Sequence, residues 1–149
     1  MPAYGEAGGG LNAENSRGKT GRDGELATAA ILAAVCPAAS VFHAVQLRGM
    51  RTPIDHLVIG HRTVLVVDSK NVWRDGVFWH EGTMRAAIAA LARAGVTASG
   101  VYVIHGRPEL AGRPPAGLQA FSAAGFEKAV SGLNRSAHRR TLAKVISLR

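Results

Sequence analysis

Apolar residues along the chain follow two rhythms in turn, and their order reads as helix, strands, helix, strand, helices. Asp23 to Cys36 holds the run Glu25-Leu26-Ala27-Thr28-Ala29-Ala30-Ile31-Leu32, rich in strong helix formers, and Pro37 stops it. Val41 to Leu47 is strand-like, with a turn at Arg48 to Arg51 around Gly49. Ile54 to Gly60 and Thr63 to Asn71 then form two β-branched runs about a tight turn at His61 and Arg62, a β-hairpin pattern. Val77 to His80 is read as a short extension of the sheet. Thr83 is placed as the N-cap of a second helix, in which Met84, Ala87, Ile88 and Leu91 recur at helical spacing and which ends near Gly95. Val101 to Ile104 is a continuous apolar run, suited to a strand covered on both faces. A Pro/Gly-rich loop from Gly106 to Gly117 leads to two further helical stretches, Leu118 to Leu133 and Ser136 to Leu148, the first interrupted by Gly125. Residues 1–19, with Gly8-Gly9-Gly10, have no period and are expected to form a mobile arm ahead of a single domain at 20–149. No internal repeat is present.

Two aspartates interrupt the hairpin's apolar runs: Asp55 in Thr52-Pro53-Ile54-Asp55-His56 and Asp68 in Val66-Val67-Asp68-Ser69-Lys70. A turn at His61 and Arg62 pairs Ile59 with Val64 and Leu57 with Val66, and therefore sets Asp55 opposite Asp68. Directly opposed residues have Cβ atoms roughly 4.5–5.5 Å apart, where like charges repel, so the arrangement calls for a cation between them. Lys70, two positions on, falls on the same face as Asp68 at roughly 6.5–7 Å. Solvated acids on a surface hairpin would be the bland reading. Val64 to Val67 argues against it, because four consecutive apolar residues imply a strand buried on both faces that leads straight into Asp68.

Paired carboxylates on a sheet are hard oxygen donors suited to Mg²⁺ or Mn²⁺, which keep several waters and take one or two carboxylates plus substrate phosphates. A lysine beside them can orient or deprotonate a water, or stabilise charge at a phosphorus centre. Glu25 shares a helix face with Ala29 and Leu32, the face that packs on the sheet, and a glutamate there needs a partner. A carboxylate favoured by the helix N-terminus would also account for it.

Composition adds a partner. Eighteen Lys and Arg against ten Asp and Glu give a formal charge of +8 over 149 residues, a balance that points to a polyanion, above all nucleic acid. At 47% hydrophobic residues the chain is globular. The single Cys36 forms no internal disulfide, and no Cys/His spacing matches a zinc site. The N-terminus has no apolar signal core, and the longest apolar run, Leu26 to Pro37, falls short of the ~20 residues a membrane span requires. A soluble, cytoplasmic protein with no membrane partner is expected, and heavy use of Ala, Gly and Arg points to a bacterial genome of high GC content. The terminal stretch Arg135, His138, Arg139, Arg140, Lys144, Arg149 has no acids and carries an apolar stripe of Leu142, Val145 and Ile146. It is read as a grip on the phosphate backbone, against a merely solvated helix face.

Gly21-Arg22-Asp23-Gly24-Glu25, then Ile54-Asp55-His56-Leu57-Val58-Ile59-Gly60, then Val64-Leu65-Val66-Val67-Asp68-Ser69-Lys70-Asn71, with Gly76 beyond, resembles the nuclease-related domain (NERD) of the PD-(D/E)XK nuclease superfamily. The resemblance covers roughly residues 21–80. It implies an α/β fold with a restriction-endonuclease-like core, a mixed central sheet flanked by helices, and metal-dependent endonuclease hydrolysis of DNA. By the same resemblance Glu25, Asp55 and Asp68 are the catalytic acids and metal ligands, Lys70 is the catalytic lysine, and the Ser69 carbonyl is a further metal ligand. Family members carry a glutamine-bearing helix after the tryptophan; here Trp79 is followed by His80-Glu81-Gly82-Thr83-Met84-Arg85, and Arg85 stands in as the residue contacting nucleic acid. DNA is the expected partner, with RNA and a second copy of the chain left open. A Holliday-junction resolvase-like enzyme, and a non-catalytic nucleic-acid-binding module that keeps the fold, are the competing readings. Gly18-Lys19-Thr20 matches the end of a P-loop, but Ala13 stands where its first glycine belongs. His56, on the hairpin face away from Asp55, is read as a core histidine.

Overall fold

The computed structural model describes residues 3–4, 16–133 and 136–149. Six strands form one sheet in the order β1 (Ala3–Tyr4), β2 (Ser40–Val45), β3 (Ile54–Ile59), β4 (Val64–Val72), β5 (Ser99–Gly106) and β6 (Gln119–Ser122). The sheet is mixed. β2, β3 and β4 are antiparallel neighbours, whereas β1 runs parallel to β2, and β4, β5 and β6 are parallel to one another. Parallel neighbours need a crossover. Helix α1 (Ser16–Val35) supplies it between β1 and β2, and α2 (Glu81–Arg93) between β4 and β5.

The sheet has an apolar core on each face. On one, Leu32 and Cys36 from the end of α1 pack with Phe126 and Val130 of α3 (Ala123–Val130) over Val41, Val58, Val67, Val101 and Val103. On the other, Met84, Ala87 and Leu91 of α2 and Val145 of α4 (Arg139–Ser147) cover Phe42, Leu57, Ile59, Val66, Tyr102 and Ile104. The double burial expected of Val64 to Val67 is met, with Val66 on one side and Val67 on the other.

Several elements depart from the sequence reading. Helix α1 starts at Ser16 and Ala3–Tyr4 pairs with β2, inside the stretch read as an arm; residues 1–2 and 5–15 lie outside the described residues, as does Arg135. Gly18 to Thr20 lie in the first turns of α1. Val77 to His80 adds no strand, because the outer edge of β4 is already taken by β5. The free edge of β5 instead pairs with Gln119–Ser122, the start of the stretch read as helix, and Ser122 then caps α3 by accepting from Gly125 N–H at 3.1 Å. Helix α2 is capped by His80 rather than Thr83. His80 adopts a left-handed conformation, and its carbonyl accepts from both Thr83 and Met84. The other end of α2 closes as the sequence implied: Gly95, at φ +79°, bonds back to Ala92 O while Val96 N–H reaches Leu91 O.

Candidate functional site

The hairpin register is the one its sequence dictates, with Ile59 opposite Val64, Leu57 opposite Val66 and His56 opposite Val67. There the ladder stops. Asp55 and Asp68, next in line, are not paired; instead Ser69 N–H donates to Asp55 Oδ2 at 2.7 Å, so a carboxylate takes the place of a strand carbonyl. The other neighbour lets go at the same point. β2 pairs with β3 at His43–His56 and Val45–Ile54 but skips Ala44–Asp55, because Ala44 sits at φ +50° and breaks the strand's alternation. Asp55 therefore stands in a local opening of the sheet.

Asp68 and Lys70 share a face, and Lys70 Nζ lies 2.7 Å from Asp68 Oδ2. The approach makes an ion pair but no hydrogen bond, and that buried oxygen has no hydrogen-bond partner. Asp68 lines a small recess with Ile54, Val66, His80, Thr83 and Met84, at the N-terminal end of α2. Beside it in the parallel register stands Tyr102, fully buried against Trp79, whose hydroxyl also lacks a partner. Burial, then the charges of Asp68 and Glu81, push its phenol up to about 12. Tyr102 was hidden in the apolar run Val101 to Ile104, since nothing in its own strand announces that Asp68 is its neighbour.

Glu25 completes the cluster from α1. It is 5% exposed, and it shares a side-chain hydrogen bond with Asp55. Gly24 lets the helix come close: a Cβ there would meet Asn71 Cβ at 3.4 Å. Two carboxyl groups bond to each other only through a shared proton, and the balance at Asp55 agrees. Burial, then the charges of Asp68 and Glu25, raise its pKa well above the usual carboxylate range, against the opposing Ser69 N–H bond.

Beneath the carboxylates, on the α1 side, runs a buried hydrogen-bond chain whose direction can be worked out by counting protons. Ser69 Oγ donates to Thr28 Oγ1 at 2.7 Å, and Thr28 donates its own proton to Gly24 O at 3.1 Å. His105 Nε2, 2.7 Å from Thr28 Oγ1, must then be the protonated nitrogen. Ser69, its proton spent, accepts from His56 Nε2–H at 3.3 Å. Burial, then the charges of His43 and His105, hold His56 neutral by pushing its pKa down to about 3, so its Nδ1 is an acceptor for His43 Nδ1–H at 2.9 Å. His56 is thus the core histidine its position implied. His43, His105, Thr28 and Ser69 were not foreseen as its companions, because they meet only when α1 and four strands are assembled.

The donors suit a hard divalent cation. Crowded carboxyls, one carrying a raised pKa, and a buried Asp68 oxygen without a hydrogen bond are relieved by positive charge, and Mg²⁺ or Mn²⁺ asks for only one or two carboxylates. Among the described residues no group of three or more His, Cys, Asp or Glu is spaced to enclose a metal.

Of the basic residues singled out from sequence, Arg85 follows Met84 of the recess and its charge reaches Tyr102, whereas those of α4 lie apart. Arg85 is exposed and occupied, its Nε donating to Glu81 at 2.8 Å and its Nη2 to Ala116 O at 2.6 Å. Arg139 and Arg140 open α4, exposed, while Lys144 is half-buried, with its Nζ 3.1 Å from the Cβ position of Gly95 at the C-terminal end of α2. The 13 residues of α2 span about 20 Å, and Asp68 lies at the opposite end.

Neither a curated protein nor a solved structure matches the chain. The family model described as nuclease-related domain does match it, at residues 20–89, a stretch that holds Glu25, Asp55, Asp68 and Lys70. Over residues 20–89 the chain is therefore similar to the nuclease-related domain family, NERD.

Proposed function

We propose that the domain is a restriction-endonuclease-like nuclease that hydrolyses DNA phosphodiester bonds with Mg²⁺ or Mn²⁺ at Asp55 and Asp68. The observation that carries this reading is the meeting of three acids from two strands and a helix with Lys70 against Asp68. Asp55 and Asp68 would hold the ion, with Glu25 and the Ser69 carbonyl beside them. When bound, such an ion supplies Lewis acidity and lowers the pKa of its water. The chain's own groups do the remainder. Ser69 N–H and the hydrogen-bond chain through Thr28 and His56 fix the Asp68-Ser69-Lys70 backbone, so the carboxylates keep their spacing. Lys70 neutralises Asp68 in the free protein and lies within reach of charge that develops on a phosphoryl group. The surplus of basic residues gathers the polyanion.

Nicking of supercoiled plasmid in Mg²⁺ or Mn²⁺, with Asp68→Asn as the control, tests the reading. Cleavage by the wild type that EDTA and Asp68→Asn both abolish supports it; no cleavage in either metal removes it. A second reading, a nucleic-acid-binding module without catalysis, draws on the absence of a three-ligand set among the described residues. It is favoured by EDTA-insensitive DNA binding with no cut.

A further inference from the structure

Four large apolar side chains are exposed among the described residues: Leu26, Trp73, Phe78 and Ile146, of which Phe78 at 74% and Trp73 at 61% are the most open. Both belong to the connection between β4, the strand of Asp68 and Lys70, and α2, the helix that borders the Asp68 recess. Phe78 meets His80 edge to face at 4.5 Å, and His80 lines that recess, so the aromatic surface is continuous with the carboxylate site. Trp73 rests on the end of β5. Gly106, at φ +82°, has no side chain, and a Cβ there would come within 3.1 Å of Trp73 Cε2. The indole thus lies on backbone while most of its surface faces out. Cations flank Trp73. Arg74 is exposed and forms no ion pair among the described residues, and Arg107, anchored by its N–H to Val72 O at 2.7 Å, has only an exposed ion pair with Glu109.

We propose that this connection is a stacking platform, with Phe78 and Trp73 receiving unpaired nucleobases beside the carboxylates, so that the substrate is single-stranded or locally unpaired DNA rather than continuous duplex. The inference rests on the nuclease reading for its chemistry and names the substrate of that same site. Open aromatic faces among arginines match a strand whose bases are free to stack and whose phosphates are negative; in an intact duplex those base faces are covered. The net charge of +8 selects a polyanion over an apolar protein surface as the occupant.

Fluorescence anisotropy in EDTA, with an oligothymidylate of roughly 20 nucleotides and a duplex of equal length, separates the outcomes; small single-strand binders cover ~4–16 nucleotides. The wild type should prefer the single strand. Trp73→Ala/Phe78→Ala should weaken that binding by at least about fivefold for each stack removed, leaving duplex binding and the melting temperature as in the wild type. Wild-type preference for duplex, an unchanged single-strand affinity in the variant, or equal loss on both probes overturns the proposal. Failure of the nuclease reading looks different: wild type and Asp68→Asn would both leave every probe uncut in Mn²⁺ while the single-strand preference persisted.

Discussion

Asp55 holds a proton more tightly than an ordinary aspartate, and this has a definite sign for stability. A carboxyl whose folded pKa is raised contributes stability below its ordinary value near 3.8 and loses it as pH climbs through the folded value. Chemical denaturation should therefore show the wild type weakening from mildly acidic to neutral pH in EDTA. Asp55→Asn should flatten that dependence and be the more stable protein at neutral pH, and Mg²⁺ should narrow the gap by stabilising the wild type alone. Lys70 calls for a different measurement. Asp68→Asn removes a charged ligand and should lower both divalent-metal affinity and cleavage. Lys70→Ala should leave metal affinity intact or higher, because it frees the Asp68 oxygen that the ammonium now neutralises, while slowing cleavage at saturating DNA. Each factor of ten in that rate corresponds to about 1.4 kcal/mol. Wild-type cleavage by Lys70→Ala would take the lysine out of the chemistry.

The elements carry their own costs. Ala44 holds a left-handed conformation that opens the sheet at Asp55, and an L residue there is disfavoured by about 1–2 kcal/mol. Ala44→Gly should recover up to about 1 kcal/mol in urea denaturation; a destabilised variant would mean that the alanine methyl contributes more than its backbone costs. Thr28→Val keeps shape but removes the hydroxyl shared by Ser69, His105 and Gly24, and should cost about 1–3 kcal/mol by leaving buried polar groups unpaired. These two positions also mark how far the sequence could be read. The hairpin register was legible as far as His56–Val67 because a short turn and strict alternation decide it locally; the opposition of Asp55 and Asp68 that it implied gives way to the Ser69 N–H bond to Asp55. The skip at Ala44 was not legible, since an alanine in an apolar run gives no sign of positive φ. Nor was β6: Gln119–Ser122 is a strand only because β5 offers an open edge, a property of a different part of the chain. Val77 to His80 failed as a strand for the converse reason.

At the scale of the molecule, the arginines that open α4 stand away from the carboxylates. Removing one cation that pairs with a duplex phosphate should reduce the slope of log affinity against log salt by about 0.9. Arg139→Ala/Arg140→Ala should flatten that slope by up to about two such steps without altering the cleavage rate on saturating DNA, because the pair opens α4, away from the Asp68 recess. An unchanged slope would assign both residues to a solvated face. Arg85, held by Glu81 and Ala116, should contribute less than either.

Helix α2 then behaves as a ruler. Its length sets the Asp68 recess and Lys144 about 20 Å apart. A strand lying along it would be gripped at one point and cut at another, and the offset would be a fixed length of nucleic acid, set by the helix and not by base sequence. Substrates trimmed below that reach would still enter the recess but would lose their hold on α4, so their binding would become less sensitive to salt even as the scissile bond stayed the same.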